Sequence, residues 1–598
     1  MSSPFDSIQG QPLNTEQRSY LEGLFCGLKE RGLSFGDVEP NPVRDSEKST
    51  SLNPLPGAER ELENLIFEER VKKELHPLDS YPLLLEHAAS DGAPERENIF
   101  RFKWHGLFYL TPQKEAFMAR LRIPAGQVKT FQLREIAQVA KDLTSGYVQI
   151  TTRANLQLRL IMPKDAPEFL RRIQSVGLQT RGAGADNIRN ITANPTAGID
   201  PYELIDVSPY CHQLAQFIIN HREFYDLPRK FNIAFDGGGL IGSVEDTNDI
   251  GVRAIRTIRP HEGLEPGVYF RIAVGGATGH QAFARDVGAL VRPEQIVKVV
   301  VAMIRVYISH GNRSDRKKAR LKHLLDCWPL EKFLAETEAL LGWKLPRAPT
   351  NVSESLEEPA QRPSAPHSHV GVFAQKQRGL NYVGVAVPVG QITPKQLFRL
   401  AEIADLYGSG EIRLTVWQNL VIPNIADGFV ETVKKAVAKA GLDWRQSHLR
   451  SGMIACTGNS YCKFASANTK GHALELIDYL EKRLTVDQPL NIHLTGCPNS
   501  CAQHYMGDIG LLATKVKVSG ETVEGYHVFV GGGFGTNQAV GRQIFQGISV
   551  EQLKPTLEKM LRVYQSNRHA TETFQSFTQR HDLNELQILF SSDSALTA

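Results

Sequence analysis

Apolar and polar positions alternate along this chain in one pattern that is written twice. "AFMARLRIP" (116–124) and "NYVGVAVPV" (381–389) carry the β-branched, period-two pattern of strands, and a Pro-x-Gly closes each. "TFQLREIAQVAKDL" (130–143) and "KQLFRLAEIADLY" (395–407) follow with apolar residues at helical spacing. "YVQITT" (147–152) and "EIRLTV" (411–416) then return as strands. The pattern predicts a β-α-β unit of ferredoxin-like type. The letters repeat as well, because a shift of 264 residues lays 123–157 on 387–421 without a gap. Pro124 meets Pro388, Gly126 meets Gly390, Gln132-Leu133 meets Gln396-Leu397, Ser145-Gly146 meets Ser409-Gly410, and Asn155 meets Asn419. A period this long is a domain duplication, not a solenoid.

Breaks in the pattern divide the chain. Residues 1–90 read as an N-terminal helical segment containing a Pro- and Ser-rich linker at 37–57. A first ferredoxin-like half-domain spans 95–170 and a larger α+β domain spans 171–345. "PRAPTNVSESLEEPAQRPSAPHSH" (346–369) is nearly free of apolar residues and reads as an extended, mobile linker. The second half-domain spans 370–440, and a second α+β domain spans 441–598, ending in one helix over "FQSFTQRHDLNELQILF". The expected class is therefore α+β, internally duplicated, with pseudo-twofold symmetry.

Composition narrows the function classes only a little. The chain has 598 residues, 41% of them apolar, and a net charge of +3, enough for several cores and too little positive charge to coat a nucleic acid. No run of about 18 apolar residues appears, so no membrane span is expected. The N-terminus lacks a basic stretch leading into an apolar run and carries acids early, so the expected compartment is the cytoplasm.

Seven cysteines change the picture more. Cys26, Cys211 and Cys327 stand alone and read as small buried apolar residues. The other four fall in "ACTGNSYC" and "TGCPNSC" as Cys456, Cys462, Cys497 and Cys501, spaced C-x5-C-x34-C-x3-C. Clustered thiols point to metal or catalysis rather than a disulfide scaffold. Zinc prefers tighter knuckles, whereas four thiolates are what a [4Fe–4S] cube requires. Spacing favours the cube and leaves zinc as the alternative.

"ACTGNSYC" paired with "TGCPNSC" resembles the motif of the sirohaem-dependent nitrite and sulfite reductases, whose duplicated architecture covers the chain from about residue 95. The resemblance implies that the four cysteines bind a [4Fe–4S] cluster and that Cys501 also ligates the sirohaem iron. The first half has no cysteine pair at its equivalent place, "NIRNITANP" (187–195). The two larger domains are thus expected to bind sirohaem together, with the cluster in the second alone.

Other segments carry the same resemblance. "TTRANLQLR" implies that Arg153 and Asn155 approach the macrocycle, although Asn155 recurs as Asn419 and a turn role competes. Sirohaem bears eight carboxylates and needs cations. "HGNRSDRKKARLKHLL" (310–325) is expected to set Arg313, Arg316, Lys317 and Arg320 on one helical face, either as carboxylate anchors or as a solvated basic face. On the substrate side, matches to family segments imply Arg120, Arg189, Lys230 and Asn232. Sulfite-reducing members typically read K-x-K where this chain reads Lys230-Phe231-Asn232, the K-x-N of nitrite-reducing members. The implied activity is assimilatory six-electron reduction of nitrite to ammonium with reduced ferredoxin, and the alternative is ferredoxin-dependent reduction of sulfite to sulfide. One site per duplicated chain makes a monomer sufficient.

"GGGLIG" (237–242) spells a dinucleotide fingerprint, but no helical pattern follows it and no acidic partner stands at the expected distance. It reads as a close-approach turn, matched in the second half by "VFVGGGFGTN" (528–537).

Overall fold

The computed structural model describes residues 64–90, 93–109, 115–348, 369–445 and 447–591, with two-residue strands at 7–8, 11–12 and 356–357. The linker read at 37–57, Cys26 and most of the linker read at 346–369 lie outside the described residues. Helices α1 (Phe67–Glu74), α2 (Tyr81–Ser90) and α3 (Arg96–Arg101) precede the first repeat. That repeat comprises β1 (Leu107–Tyr109), β2 (Phe117–Arg120), β3 (Gln127–Lys129), α4 (Thr130–Leu143), β4 (Val148–Ile150), β5 (Leu156–Ile161) and α5 (Ala166–Ser175). A larger domain follows with β6 (Ile188–Thr192), α6 (Ser208–Asn220), β7 (Phe231–Asp236), β8 (Ile250–Thr257), β9 (Gly267–Val274), β10 (Arg285–Val291), α7 (Ile296–His310), α8 (Leu321–Cys327) and α9 (Leu330–Leu341).

The second copy runs through β11 (Gly371–Ala374), β12 (Leu380–Val385), β13 (Gln391–Ile392), α10 (Pro394–Tyr407), β14 (Glu411–Leu414), β15 (Leu420–Ala426) and α11 (Val430–Lys439). Its larger domain has β16 (Met453–Ala455), α12 (Thr469–Glu481), β17 (Ile492–Thr495), β18 (Ile509–Val518), β19 (Glu521–Val530), β20 (Arg542–Ser549), α13 (Val550–Asn567), α14 (Phe574–Arg580) and α15 (Leu583–Ser591).

The repeated letters mark local devices. Gln132 and Gln396 cap α4 and α10, each accepting the backbone N–H three residues earlier at 3.0 Å. The Pro-x-Gly turns put Ala125 and Val389 at φ 55° and 48° in both copies. Gly126 cannot carry a side chain, because a Cβ there would lie 2.6 Å from Leu414 O, and one at Gly390 would lie 2.6 Å from Ile150 O. Each turn is thus pressed against the other copy.

The two half-domains also exchange strands. β3 pairs with β14 of the second copy, and β13 pairs with β4 of the first. The sheets run β13-β4-β5-β2-β1 and β11-β12-β15-β14-β3. One apolar core, including Leu133, Ile136, Leu397 and Leu400, serves both.

Each larger domain has its own core and one sheet, with five strands ordered β10-β9-β8-β7-β6 or β16-β17-β18-β19-β20, the first joined by a sixth, two-residue strand at 356–357 that pairs with β8. In both, three parallel strands are followed by two antiparallel ones. Ile233 faces Ile250 as Ile492 faces Ile509, so β7 and β8 correspond to β17 and β18.

That correspondence corrects the matching of glycine runs. "GGGLIG" follows β7, where the second domain has "GCPNSC" after β17. "VFVGGGFGTN" follows β19, and its counterpart after β9 is "VGGATG" (274–279). The close-approach reading stands at both runs: a Cβ on Gly237 would lie 2.4 Å from Ile205 O, and one on Gly532 would lie 2.5 Å from Tyr505 O.

The expected helix over 310–325 is not one helix. Asn312 Oδ1 accepts the N–H groups of Ser314 and Asp315 at 2.8 and 2.9 Å, and Asp315 Oδ1 accepts that of Lys317 at 2.9 Å. These side chains replace the helical backbone bonds, leaving a loop, a single 3₁₀ turn at Arg316–Lys318 and then α8. The closing helix is likewise two, α14 and α15, because Asp582 and Glu585 form a reciprocal cap at 2.8 and 3.1 Å. Cys211 is buried as expected, whereas Cys327, the last residue of α8, is exposed.

Candidate redox and anion site

Two neighbouring parallel strands deliver the four cysteines. Ala455 at the end of β16 stands beside Leu494 near the end of β17, so Cys456 and the Gly496-Cys497 step leave the sheet side by side. Gly496 N–H donates to Cys456 Sγ at 3.1 Å, and a Cβ on Gly496 would lie 2.5 Å from the Ala465 Cβ. All four cysteines are free, three half-buried and Cys501 exposed. Burial pushes the Cys497 thiol up to about 11, helped by Cys501, Cys462 and Cys456, and Cys456 is raised by burial and by Cys501.

Thiols raised in this way, as Cys456 and Cys497 are, become thiolates when a polycation lies between them. Among the described residues no three His, Cys, Asp or Glu side chains converge tightly enough for one metal ion. The donor set fits a [4Fe–4S] cluster.

Cations gather on Cys501 from the other half. The turn after β4 reaches it directly, since Thr152 Oγ1 donates to Cys501 O at 3.0 Å. Arg120 on β2, Arg153 in that turn and Lys230 before β7 all lie in the field of Cys501. Burial brings Arg153 down to about 10. Burial, then Arg120 and Arg229, bring Arg189 down to about 9. Lys230 falls to about 7 through burial, Arg320 and Arg189. Among the described residues Arg189 Nε is buried without a hydrogen-bond partner, its Nη2 reaching Ala185 O at 3.3 Å, and Arg120 reaches only Ala183 O, also at 3.3 Å, while its guanidinium stacks 4.9 Å from the Phe108 ring centre. Half-buried cations this short of partners call for anions, which fits a polycarboxylate macrocycle and a small oxyanion.

Asn232 is committed to Asp249, which accepts its N–H at 2.9 Å and its Nδ2 at 3.5 Å. Arg320 holds the same carboxylate through both oxygens at 2.8 to 3.1 Å. Asn155 is 1% exposed, gives its amide N–H to Leu121 O and accepts Leu156 N–H at 2.8 Å. Asn419 accepts Val387 N–H and donates to Ser451 O. Both asparagine side chains are thus engaged by backbone groups, though not equivalent ones, since Ile123 N–H, the counterpart of Val387 N–H, goes to Asn190.

The basic stretch is also redirected. Arg313 pairs with Glu69 and Asp226, and Arg316 makes a two-armed bridge to buried Asp186 at 2.8 Å. With the buried Arg320–Asp249 pair, three of the four expected anchors are tied to carboxylates of the chain, and Lys317 is exposed. Neither a helical anchor face nor a solvated one is present. A cavity of about 220 Å³ under α1, lined partly by Glu69, Lys72, Asp226 and Arg313, shares no lining residue with the thiolate site.

Three neighbours of the site escaped the sequence reading. Arg229 adds to the cation set beside Lys230. Arg159, on β5, donates to Thr457 Oγ1 at 2.5 Å and lies in the field of Cys462 and Cys456. Lys470, in the first turn of α12, lies in the field of Cys456. Arg159 ends "TTRANLQLR" and so stood inside a quoted motif, and Arg229 immediately precedes Lys230-Phe231-Asn232.

Residues 184–345 and 449–593 match the family described as "Nitrite and sulphite reductase 4Fe-4S domain". Residues 110–176 and 373–440 match the "Nitrite/Sulfite reductase ferredoxin-like half domain". A ferredoxin–nitrite reductase of Synechococcus elongatus is 36% identical over 80% of this chain and 92% of its own. The chloroplastic ferredoxin–nitrite reductase of Zea mays is 34% identical over 77% and 81%. The solved NirA protein of Mycobacterium tuberculosis superposes with a TM-score of 0.80 at 29% identity, covering 87% of this chain and 97% of that one. The chain belongs to the nitrite and sulphite reductase family.

Proposed function

We propose that this chain is a ferredoxin-dependent nitrite reductase that converts nitrite to ammonium: nitrite, six electrons and eight protons yield ammonium and two waters. The observation that carries the reading is the set of half-buried cations, Arg120, Arg153 and Lys230, sharing the field of Cys501. Cys456, Cys462, Cys497 and Cys501 would hold the [4Fe–4S] cluster, with Cys501 shared by the sirohaem. Arg153 would hold macrocycle carboxylates. When bound, this pair of cofactors supplies one-electron steps and a Lewis-acidic iron.

The protein's part is positioning and protons. Arg120, Arg189 and Lys230 hold the anion's oxygens against the pull of hydration. Arginine stays protonated, so of these three only Lys230 can pass a proton from Nζ to a departing oxygen. Its value of about 7 suits that task, because a proton donor works best near the operating pH. Among the described residues no helix is long and apolar enough to cross a membrane. One site drawing on both halves supports a monomer. The test is kcat/KM for nitrite and for sulfite with reduced viologen and with reduced ferredoxin, alongside the absorption spectrum. Sirohaem bands with faster nitrite turnover are expected. A colourless protein, or a preference for sulfite, would sink the reading.

A further inference from the structure

Lys470 is buried at 7% exposure, and among the described residues no carboxylate pairs with its ammonium. It donates instead to Val389 O and, at 3.3 Å, to Ala455 O, the carbonyl directly before Cys456. Burial pulls Lys470 down to about 7, and the anionic group that opposes this and favours its charged form is the Cys456 thiolate. That thiolate also receives the Gly496 N–H at 3.1 Å, and the neighbouring Thr469 hydroxyl, which donates to Cys456 O at 2.8 Å, lies 3.6 Å from the same sulfur. The cluster-free half offers a control. α6 packs on the Pro124–Gly126 turn as α12 packs on Pro388–Gly390. Ser208 begins α6 where Thr469 begins α12, and the next residue is Pro209 where the second half has Lys470. The charge occurs in the half that carries the thiolates.

We propose that Lys470 is a tuning residue, whose buried ammonium behind the Cys456 ligand holds the reduction potential of the [4Fe–4S] cluster upward. This rests on the proposed cluster site. Accepting an electron adds negative charge to the cluster, and an ammonium held beside that charge with little water to screen it favours the reduced form. The charge thus helps the cluster take electrons from its donor. A purely mechanical role, tying the Val389 turn to β16, would alter stability and leave the potential where it was.

The experiment is an EPR-monitored redox titration of the holoenzyme and its Lys470→Gln, Lys470→Met and Lys470→Arg variants. Glutamine keeps an N–H donor for the two carbonyls and drops the charge. At fixed ambient potential the reduced-to-oxidised ratio should fall about tenfold in Lys470→Gln, a shift of about 59 mV for a one-electron couple. Lys470→Met should fall at least as far, and Lys470→Arg should stay within about twofold of wild type. An unchanged ratio in Lys470→Gln overturns the proposal, as does an equal fall in Lys470→Arg. So does failure of all three variants to load a cluster, which marks Lys470 as a mechanical tie. A wild-type holoenzyme without a cluster signal would instead sink the cofactor reading itself.

Discussion

Asn232 and Asn491 stand in the same place in the two larger domains. Asn232 gives its N–H and Nδ2 to Asp249, as Asn491 gives its own to Asp508 at 2.8 and 2.6 Å. A device present in both halves, one of them without the substrate cations, is part of the scaffold. The Lys-x-Asn signature is therefore doubly motivated, and Asn232→Lys separates the motives. An added ammonium beside Arg189, Lys230 and Arg320 attracts a dianion more than a monoanion. The nitrite-to-sulfite ratio of kcat/KM should fall about tenfold, roughly 1.4 kcal/mol. An unchanged ratio with a lowered Tm would reduce Asn232 to the scaffold role. At the cysteine cluster, Cys501→Ser should abolish the sirohaem bands and turnover together, and a variant with normal spectra would remove Cys501 from the ligand set. These cysteines were legible because ligand spacing is local in sequence. The Asn232–Asp249 bond was not, because 17 residues and a strand crossing separate the partners.

At the scale of elements, the parallel strands give the two halves the same carboxylate and different partners for it. Asp249, ahead of β8, is neutralised by Arg320. Asp508, ahead of β18, has its carboxyl pushed up to about 7 by burial, against the pull of Asn491. An ordinary aspartate loses its proton near pH 4, so the folded chain holds this proton more tightly than the unfolded one. Asp508 therefore favours folding in acid and loses that advantage as pH rises through 7. Asp508→Asn removes the dependence. Between pH 5 and pH 8, urea unfolding should show the variant gaining on wild type by on the order of 2–4 kcal/mol, and a constant gap would refute the assignment. The regular helices α4 and α10 were legible from apolar spacing plus the capping glutamine. The break at 312–315 was not, because arginines at helical intervals imitated a face while Asn312 and Asp315 spent their side chains on the backbone. The arginines' acidic partners lie far off in sequence, Asp186 being 130 residues from Arg316.

For the whole molecule, duplication is not independence. Each half-domain sheet is completed by a strand of the other, and α4 packs on α10 in one shared core. Expressed separately, residues 1–368 and 369–598 should each lack a cooperative thermal transition, while coexpression should restore a complex with the holoenzyme's spectrum. Two separately folded halves would show that the exchanged strands are ornament. The repeat itself was visible in the letters, but the exchange was not, since both sheets satisfy the same alternation whichever copy supplies the edge.

The exchange also sets a schedule for synthesis. β4 emerges from the ribosome some 240 residues before Gln391 and Ile392, which cover it. At about 5–20 residues per second, its backbone edge waits on the order of tens of seconds. An open strand edge is a template for pairing with other chains. The last cofactor thiolate, Cys501, arrives later still. The nascent chain therefore carries an unfinished sheet and a nest of uncompensated half-buried cations together, and chaperone guard and cofactor loading fall due in the same late interval.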